Sequence, residues 1–444
     1  MPFRKRYAVV GTGGRCRMFL DAIYRDFSEH AELAGLCDLS ATRANYWSKY
    51  LSETYGIGAT PTFTDNEFDA MIEQARPDVV IVTSMDCTHH TYIARAMDLG
   101  CDVITEKPMT TDAQKAGVIR DAIERTGRSL RVTFNYRYMP TMSLVKEVVD
   151  RGDIGTPTLV DFQWRLDTSH GADYFRRWHR EKDKSGGLLV HKSTHHFDLV
   201  NWILGDRPQT VFAMGDLRFY GEKNAKARGV DAPYDRYTGH TTRAKDPFAL
   251  TVDGSGEKTW QSDELIEVYH KAEADSGYIR DRNVFGGENK WPITAEDTMS
   301  VNACYSRGAL LNYSLIAYCP WEGERLTITG TEGQVEYFAR GKGHVIRGQS
   351  EDELTAEQYQ GEKYVRLQRM FEQPIELDIP EATGGHGGGD RKLLERIFSP
   401  DPPPDALGRD AGFADGMSSI LMGICANQSI VTGQPVQTSD VFAL

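Results

Sequence analysis

Continuous apolar runs mark the first third of the chain: Tyr7-Ala8-Val9-Val10, Leu33-Ala34-Gly35-Leu36-Cys37 and Asp78-Val79-Val80-Ile81-Val82-Thr83. Runs of this length, bounded by polar segments, predict short strands buried on both faces. Between them the period changes. Phe19, Ile23 and Phe27 stand at i, i+4 and i+8, which predicts a helix over 15–27. A second helix is predicted over 91–99, stopping at Gly100, a residue suited to the left-handed position after a helix. Asp102-Val103-Ile104-Thr105 reads as a strand, 111–126 as a helix, and Leu130-Arg131-Val132-Thr133-Phe134 closes the region. Strand–helix alternation over 6–138 implies a parallel sheet covered on both faces.

Beyond Met139 the pattern lengthens. After a helix near 141–151 and the turn Gly152-Asp153-Ile154-Gly155, alternating strands are predicted at 157–164, 209–219, 298–306, 308–318, 325–329 and 333–338. Long strands with few helices between them point to an α+β domain on a large open, mostly antiparallel sheet. The expected division is therefore 1–138 and 139–444. Residues 220–296 are polar and weakly periodic. They read as an insertion, either over a substrate site or at a subunit contact, or as a solvated appendage. Asp401-Pro402-Pro403-Pro404-Asp405 is a rigid linker before a last helix near 408–426.

With 444 residues, 40% hydrophobic and 26% charged, the chain has the make-up of a soluble globular protein. A net charge of −13 argues against general nucleic-acid binding, which needs clustered Lys and Arg. Seven scattered cysteines without a Cys-x-x-Cys pair read as reduced thiols in a cytoplasmic protein. The N-terminus leads straight into a strand, leaving no room for a signal peptide. No apolar stretch approaches the roughly 20 residues that cross a bilayer, so no membrane partner is expected.

The first chemistry lies at the end of the first strand. Gly11-Thr12-Gly13-Gly14-Arg15-Cys16 joins a strand to a helix, the context a dinucleotide fingerprint requires. Gly11 permits the tight turn and Gly13 the approach of a pyrophosphate. Cys16, a small residue, stands where Gly or Ala is usual. Asp38, twenty-two residues past Cys16, ends the second strand and would accept bonds from the adenosine ribose, favouring NAD. Arg43 could offset its charge, so NADP is the less favoured alternative. These features describe a Rossmann-type α/β domain.

Further along stand Thr105-Glu106-Lys107-Pro108 and Gly186-Gly187-Leu188-Leu189-Val190-His191-Lys192-Ser193-Thr194-His195-His196-Phe197-Asp198. The ordered set of Gly11-x-Gly13, the Asp78 strand, His89, Glu106-Lys107-Pro108, Arg137, Gly186-Gly187, His195 with Asp198, and Gly330-Thr331-Glu332-Gly333 resembles the Gfo/Idh/MocA oxidoreductase family, over 6–215 and 298–338. The resemblance implies a Rossmann domain and an open-sheet substrate domain. It implies Lys107 at the reacting hydroxyl and the nicotinamide ribose, Ser84, His89 and Glu106 beside the cofactor, and His195 as acid/base. It also implies a homodimer or homotetramer. In most of the family an acid occupies the position of His191, so this histidine is a departure that offers a second acid/base near neutral pH.

His191 and His195, four apart, would share one helical face, and catalytic histidines are weighed there against metal ligands; no metal is expected. His196 reads as structural. Tyr136 or Tyr138 could assist. The stretch Trp164, Arg165, His170, Tyr174, Arg176, Arg177, Trp178, His179, Arg180, Lys182 and Lys192 reads either as a pocket for an anionic sugar, through Arg165, Arg177 and Lys192 with Trp164, Tyr174 and Trp178, or as a solvated run of ion pairs. Arg137 and His386, the latter within Gly384-Gly385-His386-Gly387-Gly388-Gly389-Asp390, are further substrate candidates; that segment is similar to one in the family's glycoside-cleaving members. Three functions stay open. One is a redox-neutral glycoside hydrolase that abstracts hydride at ring C3 of an anionic, sulfoquinovoside-like glycoside. The second is a net sugar or polyol dehydrogenase. The third is a non-catalytic NAD-binding regulator.

Overall fold

The computed structural model describes residues 4–230, 234–237, 248, 263–341, 362–382 and 385–443. They divide into two compact units. The first comprises 1–138, 261–278 and 383–417, and the second 139–260, 279–382 and 418–444. One cut between the units falls after Tyr138. Segments 261–278 and 383–417, expected in the second domain, belong to the first.

In the first unit, β1 (Lys5–Val10), β2 (Ala31–Asp38), β3 (Thr62–Thr64), β4 (Val79–Val82), β5 (Asp102–Thr105) and β6 (Leu130–Val132) form one sheet in the order β3-β2-β1-β4-β5-β6. Every pairing is parallel. The order reverses between β1 and β4, and ligands of open α/β sheets bind beyond the strand ends at such a switch point. Val9, Leu36 and Ile81 are buried in the sheet, and Phe19 and Ile23 cover it from the segment after the glycine turn. That segment is a helix only over Cys16–Asp21 and continues as a π-turn over Ala22–Asp26. The segment 383–417 joins this unit because the helix Gly389–Phe398 is amphipathic. Its Phe398 packs edge-on against Tyr7 at 4.9 Å and lies 5.7 Å from Phe27. The helix Asp263–Ser276 is attached at its end, where Asp275 accepts hydrogen bonds from Ser40 Oγ (2.9 Å) and Thr42 Oγ1 (2.7 Å).

The second unit is built on nine strands: β7 (Pro157–Asp167), β8 (Pro208–Asp216), β9 (Thr298–Tyr305), β10 (Leu310–Cys319), β11 (Gly323–Gly330), β12 (Gly333–Arg340), β13 (Lys363–Arg369), β14 (Ile375–Leu377) and β15 (Val436–Gln437). Their order is β14-β13-β12-β11-β7-β10-β9-β8-β15. Only the β7–β10 pairing is parallel; the others are antiparallel. One face buries Phe162, Trp164, Val301, Tyr313 and Leu326 beneath helices. Among these is Thr168–Arg176, which lies against β10 so closely that a Cβ at Gly171 would stand 1.7 Å from the Ala317 carbonyl oxygen. Only glycine fits there. Of the predicted insertion, the described residues include the short helix Glu222–Ala227 and a bridge between Arg236 and Arg282. Residues 238–247 and 249–262 lie outside the described residues.

Candidate functional site

In the first unit, Gly11 has φ +88°, and a Cβ on it would meet the Ser84 backbone nitrogen at 2.3 Å. The turn is thereby pressed against the chain leaving β4. Gly13 has nothing within 4 Å of where a Cβ would stand, so the next stretch of backbone is open. Cys16 is buried at the start of the following segment, a small residue in a tight place. Asp38 at the end of β2 accepts from Thr12 N (2.6 Å), Thr12 Oγ1 (3.0 Å), Ser40 N (2.7 Å) and Arg43 Nη2 (2.6 Å). The carboxylate locks the glycine turn to the helix Ala41–Tyr55, and a ribose hydroxyl would add to or replace these bonds. Arg43 is committed to Asp38 and to Ser276 Oγ (3.1 Å), which leaves it poorly placed to meet a 2′-phosphate.

An NAD dinucleotide fits this arrangement. Gly11, Thr12, Gly13, Gly14, Arg15 and Cys16 would carry the pyrophosphate and Asp38 the adenosine ribose. Bound there, NAD supplies a two-electron acceptor for hydride.

Two ion pairs link that turn to the Glu106-Lys107-Pro108 segment and to the late loop. Arg15 Nε donates to Glu106 Oε1 at 2.7 Å, and Arg15 Nη2 reaches Asp390 Oδ1 at 3.4 Å. Asp390 also accepts from Asn135 Nδ2 (2.6 Å) and meets His386 Nδ1 (2.9 Å). Burial would raise the Asp390 carboxyl, but the His386 bond, the Arg15 charge and the Asn135 bond hold it well below the usual carboxylate range. His386, expected at the substrate, thus belongs to the first unit with its ring 5.7 Å from that of Tyr136. Lys107 follows β5 half-buried.

Several expected contacts prove to be framework. His89 is 1% exposed, and its Nδ1 and Nε2 meet the carbonyls of Pro108 (2.9 Å) and Ser84 (3.1 Å). It pins the turns after β4 and β5 together. Burial pushes its pKa down. Tyr138, expected to be catalytic, donates to Asp410 Oδ1 at 2.9 Å, and burial with that neighbouring carboxylate raises its phenol well above its ordinary value. Arg137, expected at the substrate, is 2% exposed and bonded to Asp415 Oδ1 at 2.9 Å. Both bonds have one cause: the acids of 405–415 fold onto this unit, which local sequence does not reveal.

In the second unit, the histidine segment is two helices, Leu188–His191 and Thr194–Leu204, joined at Lys192 and Ser193. His191 and His195 therefore do not share one continuous helical face, a second correction. Behind them, Thr194 Oγ1 meets Ser419 Oγ (2.5 Å) and Asn427 Nδ2 donates to the Gly186 carbonyl (2.7 Å). His196 is fully buried between Tyr313 Oη (2.7 Å from Nδ1) and the stacked Trp164 ring (4.5 Å), the structural role expected of it.

His191 sits in an aromatic cluster. Its ring lies 4.3 Å from His179, 5.5 Å from Tyr174 and 5.7 Å from Trp178. The Lys192 ammonium stands 4.4 Å over the Trp164 ring. Trp164, Tyr174, Trp178, His191, Lys192 and His195, expected at the site from sequence, are all buried in this unit. The arginines differ. Arg177 is paired with Asp173, and Arg176 and Arg180 donate to backbone carbonyls. Arg165 lies over Trp321 at 5.3 Å. The guanidinium groups of the run are thus largely engaged within the unit. Among the described residues, no group of three or more His, Cys, Asp or Glu is arranged to hold a metal.

Sequence reading missed two acids that border this cluster. Glu322 lies just before β11 and meets His170 Nδ1 at 2.9 Å. Glu324, within β11, is fully buried; burial pushes its carboxyl up to about 7, against the hydrogen bond from Tyr337 Oη (2.9 Å). Strand position alone carries no sign of either role.

Comparison with known proteins agrees with this architecture. The model for an oxidoreductase-family NAD-binding Rossmann fold matches residues 5–134, and that for the family's C-terminal alpha/beta domain matches 146–438. The chain is 36% identical over 429 residues to putative oxidoreductase YteT of Bacillus subtilis (strain 168), covering 96% of each. It is 26% identical over 250 residues to an inositol 2-dehydrogenase of Rhizobium meliloti (strain 1021), covering 56% of this chain and 68% of that one. The fold is similar to that of aldose-aldose oxidoreductase from Caulobacter crescentus complexed with glycerol, with a TM-score of 0.62 at 17% identity over 98% of this chain and 100% of that one. No described helix is long and apolar enough to cross a membrane. With the glycine turn, both domain models and a relative matched end to end, the chain belongs to the Gfo/Idh/MocA oxidoreductase family and is an NAD-dependent oxidoreductase.

Proposed function

We propose that this oxidoreductase acts on a ring hydroxyl of a cyclic sugar or polyol, removing hydride from the carbon that bears it. The observation that carries the reading is the cluster of the second unit, in which the rings of His179 and His191 stand against those of Tyr174 and Trp178. Histidine titrates near neutral pH, and flat aromatic rings suit the apolar face of a sugar or cyclitol. Two roles are needed. A cation must steady the oxygen that loses its proton, which we give to Lys107; a base must take that proton, which we give to His195. The inositol and aldose activities named for similar proteins support the substrate class. Because Arg176, Arg177 and Arg180 are engaged internally, a neutral substrate is favoured over the anionic one that the arginine run suggests.

A second reading is redox-neutral glycoside hydrolysis, in which oxidation at ring C3 precedes elimination and hydride is returned. The surplus of acid/base groups around that cluster, His170, His179, His191 and Glu322, favours it. Both readings are tested by one experiment. Inositols, aldoses and nitrophenyl glycosides, the sulfoquinovoside and a glucuronide included, are offered with NAD while cofactor reduction and nitrophenol release are followed together. Reduction on a free polyol or sugar supports the dehydrogenase. Nitrophenol without net reduction supports the hydrolase. Silence across the panel would overturn the substrate class.

A further inference from the structure

A cavity of about 590 Å³ lies in the second unit where β8 begins and β9 turns into β10. β10 starts at this end of the sheet and finishes at the other, beside Asp167 and the helix Thr168–Arg176. The helix Thr194–Leu204 holds His195, the proposed base, in its first turn, and Gly205 at its far end lines the cavity. Ten residues at 1.5 Å each put about 15 Å between the two, so this cavity is separate from the reacting groups. Its walls are fixed by specific bonds. Asp206 accepts from Ser306 Oγ, from Arg307 N (2.9 Å) and from Arg207 N (2.8 Å), with Arg307 Nε at 3.6 Å. Arg307 Nη2 also donates to the Leu204 carbonyl. The C-terminal segment closes another wall: β15 pairs with β8, and Thr438 Oγ1 donates to the Pro208 carbonyl at 2.9 Å.

The charges decide what such a cavity takes. Asp206 is 4% exposed and occupied by those donors. Burial would raise its carboxyl, but the Ser306 bond, the two backbone N–H groups and the Arg307 charge hold it below its ordinary value. It fastens the turn and offers little to a ligand. The lining also carries two guanidinium groups. The Arg207 side chain is exposed and enters no hydrogen bond or ion pair among the described residues. The Arg307 side chain is 66% exposed, so N–H donors beyond those named are open to a ligand. Two arginines against one committed carboxylate leave a positive excess that suits an anion. The carbonyl end of a helix disfavours an anion, and Arg307 offsets that by its bond to Leu204. The same lining carries the Ser418 and Ser439 hydroxyls and the Phe442 ring, groups that suit the hydroxyls and carbon face of a sugar. The volume lies within the roughly 300–1,000 Å³ of small-molecule sites and is more than a bare inorganic anion fills. We infer that this cavity is a second ligand site, for a polyol bearing one anionic group, a sugar phosphate or a sugar acid. Arg207 and Arg307 meet the anionic group, and Ser418 and Ser439 the polyol. None of these residues has a part in the reaction proposed above, so the inference stands without that reading.

The test is calorimetry on the full-length enzyme saturated with NAD, using glucose 6-phosphate, gluconate, glucose and inorganic phosphate as probes. Glucose 6-phosphate or gluconate should bind at least about tenfold more tightly than glucose or inorganic phosphate, and the stronger of the two identifies the anionic group. Arg207→Ala and Arg307→Ala should each weaken that binding about tenfold or more. The Arg207 side chain holds nothing of the fold together, so its variant decides the matter should Arg307→Ala fail to fold. His195→Ala should leave the affinity unchanged, which separates this site from the reaction. In hydrogen exchange followed by mass spectrometry, the bound probe should slow amides of 205–209 and 436–443. Failure of both anionic probes to bind would overturn the inference, as would equal affinity in wild type and Arg207→Ala, or protection confined to other segments. Glucose binding as tightly as the anionic probes would refute the arginine role. Inorganic phosphate binding as tightly as glucose 6-phosphate would refute the polyol. Silence of the enzyme on the substrate panel has no bearing on any of these results.

Discussion

Two buried carboxyls, one in each unit, are held in opposite ways. Asp390 in the first unit receives Arg15, Asn135 and His386, and its charge is stabilised despite burial. Glu324 in the second unit has a single donor, Tyr337, and burial lifts it to about 7. The cofactor end therefore keeps fixed charges, as suits a region whose task is to hold one rigid dinucleotide. The second unit gathers groups that change protonation near neutrality, as the proton transfer proposed above would require.

The sharpest break of that contrast removes one reactive group from each side. Lys107→Ala and His195→Ala should each lower kcat about a thousandfold on whichever substrate proves active, with NAD affinity by calorimetry retained. Full activity in either variant would refute the role given to it. Loss of NAD binding in His195→Ala would mean that the histidine serves the cofactor instead.

The same contrast explains what was legible in the chain. The glycine turn, Asp38 and Glu106-Lys107-Pro108 are local, and local motifs carry the cofactor end almost entire. The strand–helix alternation of 6–138 and the long strands after 157 carry both sheets, because hydrophobic period is set by burial on one face or two. What sequence hid was pairing at a distance. Phe398 on Tyr7, Asp410 on Tyr138 and Asp415 on Arg137 join residues hundreds apart in the chain, so these side chains look available when they are not. Arg177 is different. Asp173 stands four residues before it, and that spacing already signals an ion pair. Glu322 and Glu324 could not be found, since an acid in a strand or turn is usually solvated.

Glu324 offers the next test, through pH. Its native carboxyl lies above its unfolded value, so the native state binds the extra proton between about pH 4.5 and 7. Stability should fall as pH rises through that window, by about 3 kcal/mol in total. Glu324→Gln keeps the shape and the Tyr337 bond without the charge. Its denaturation midpoints should lose this slope and exceed the wild type most at pH 8. An unchanged slope would mean that the carboxyl titrates normally.

Asp390 should behave with the opposite sign. Its native carboxyl lies below the unfolded value, so its contribution is present above about pH 4 and fades as the pH falls further. Asp390→Asn should cost about 2 kcal/mol at pH 7 and flatten the acid limb of the stability curve. If both variants moved the same limb, the distinction between fixed and titratable carboxyls would collapse.

The smallest effect concerns Asp38 and Arg43. Asp38 does two things at once: it ties Thr12 to the helix after β2, and it occupies the Arg43 guanidinium. Asp38→Ala would release Arg43 while Ser40 still caps the helix by accepting from Arg43 N. A freed guanidinium is a good partner for a phosphate, and loss of the carboxylate removes repulsion of the same group. The NADP-to-NAD affinity ratio should therefore rise about tenfold, mostly through weaker NAD binding if the turn loosens and through stronger NADP binding if it does not. Separate titration of the two dinucleotides distinguishes these. A double variant with Arg43→Ala should abolish any gain for NADP while keeping the loss for NAD. If the single and double variants bound NADP alike, Arg43 would have no part in cofactor choice, and Asp38 would act only as the clamp on the glycine turn.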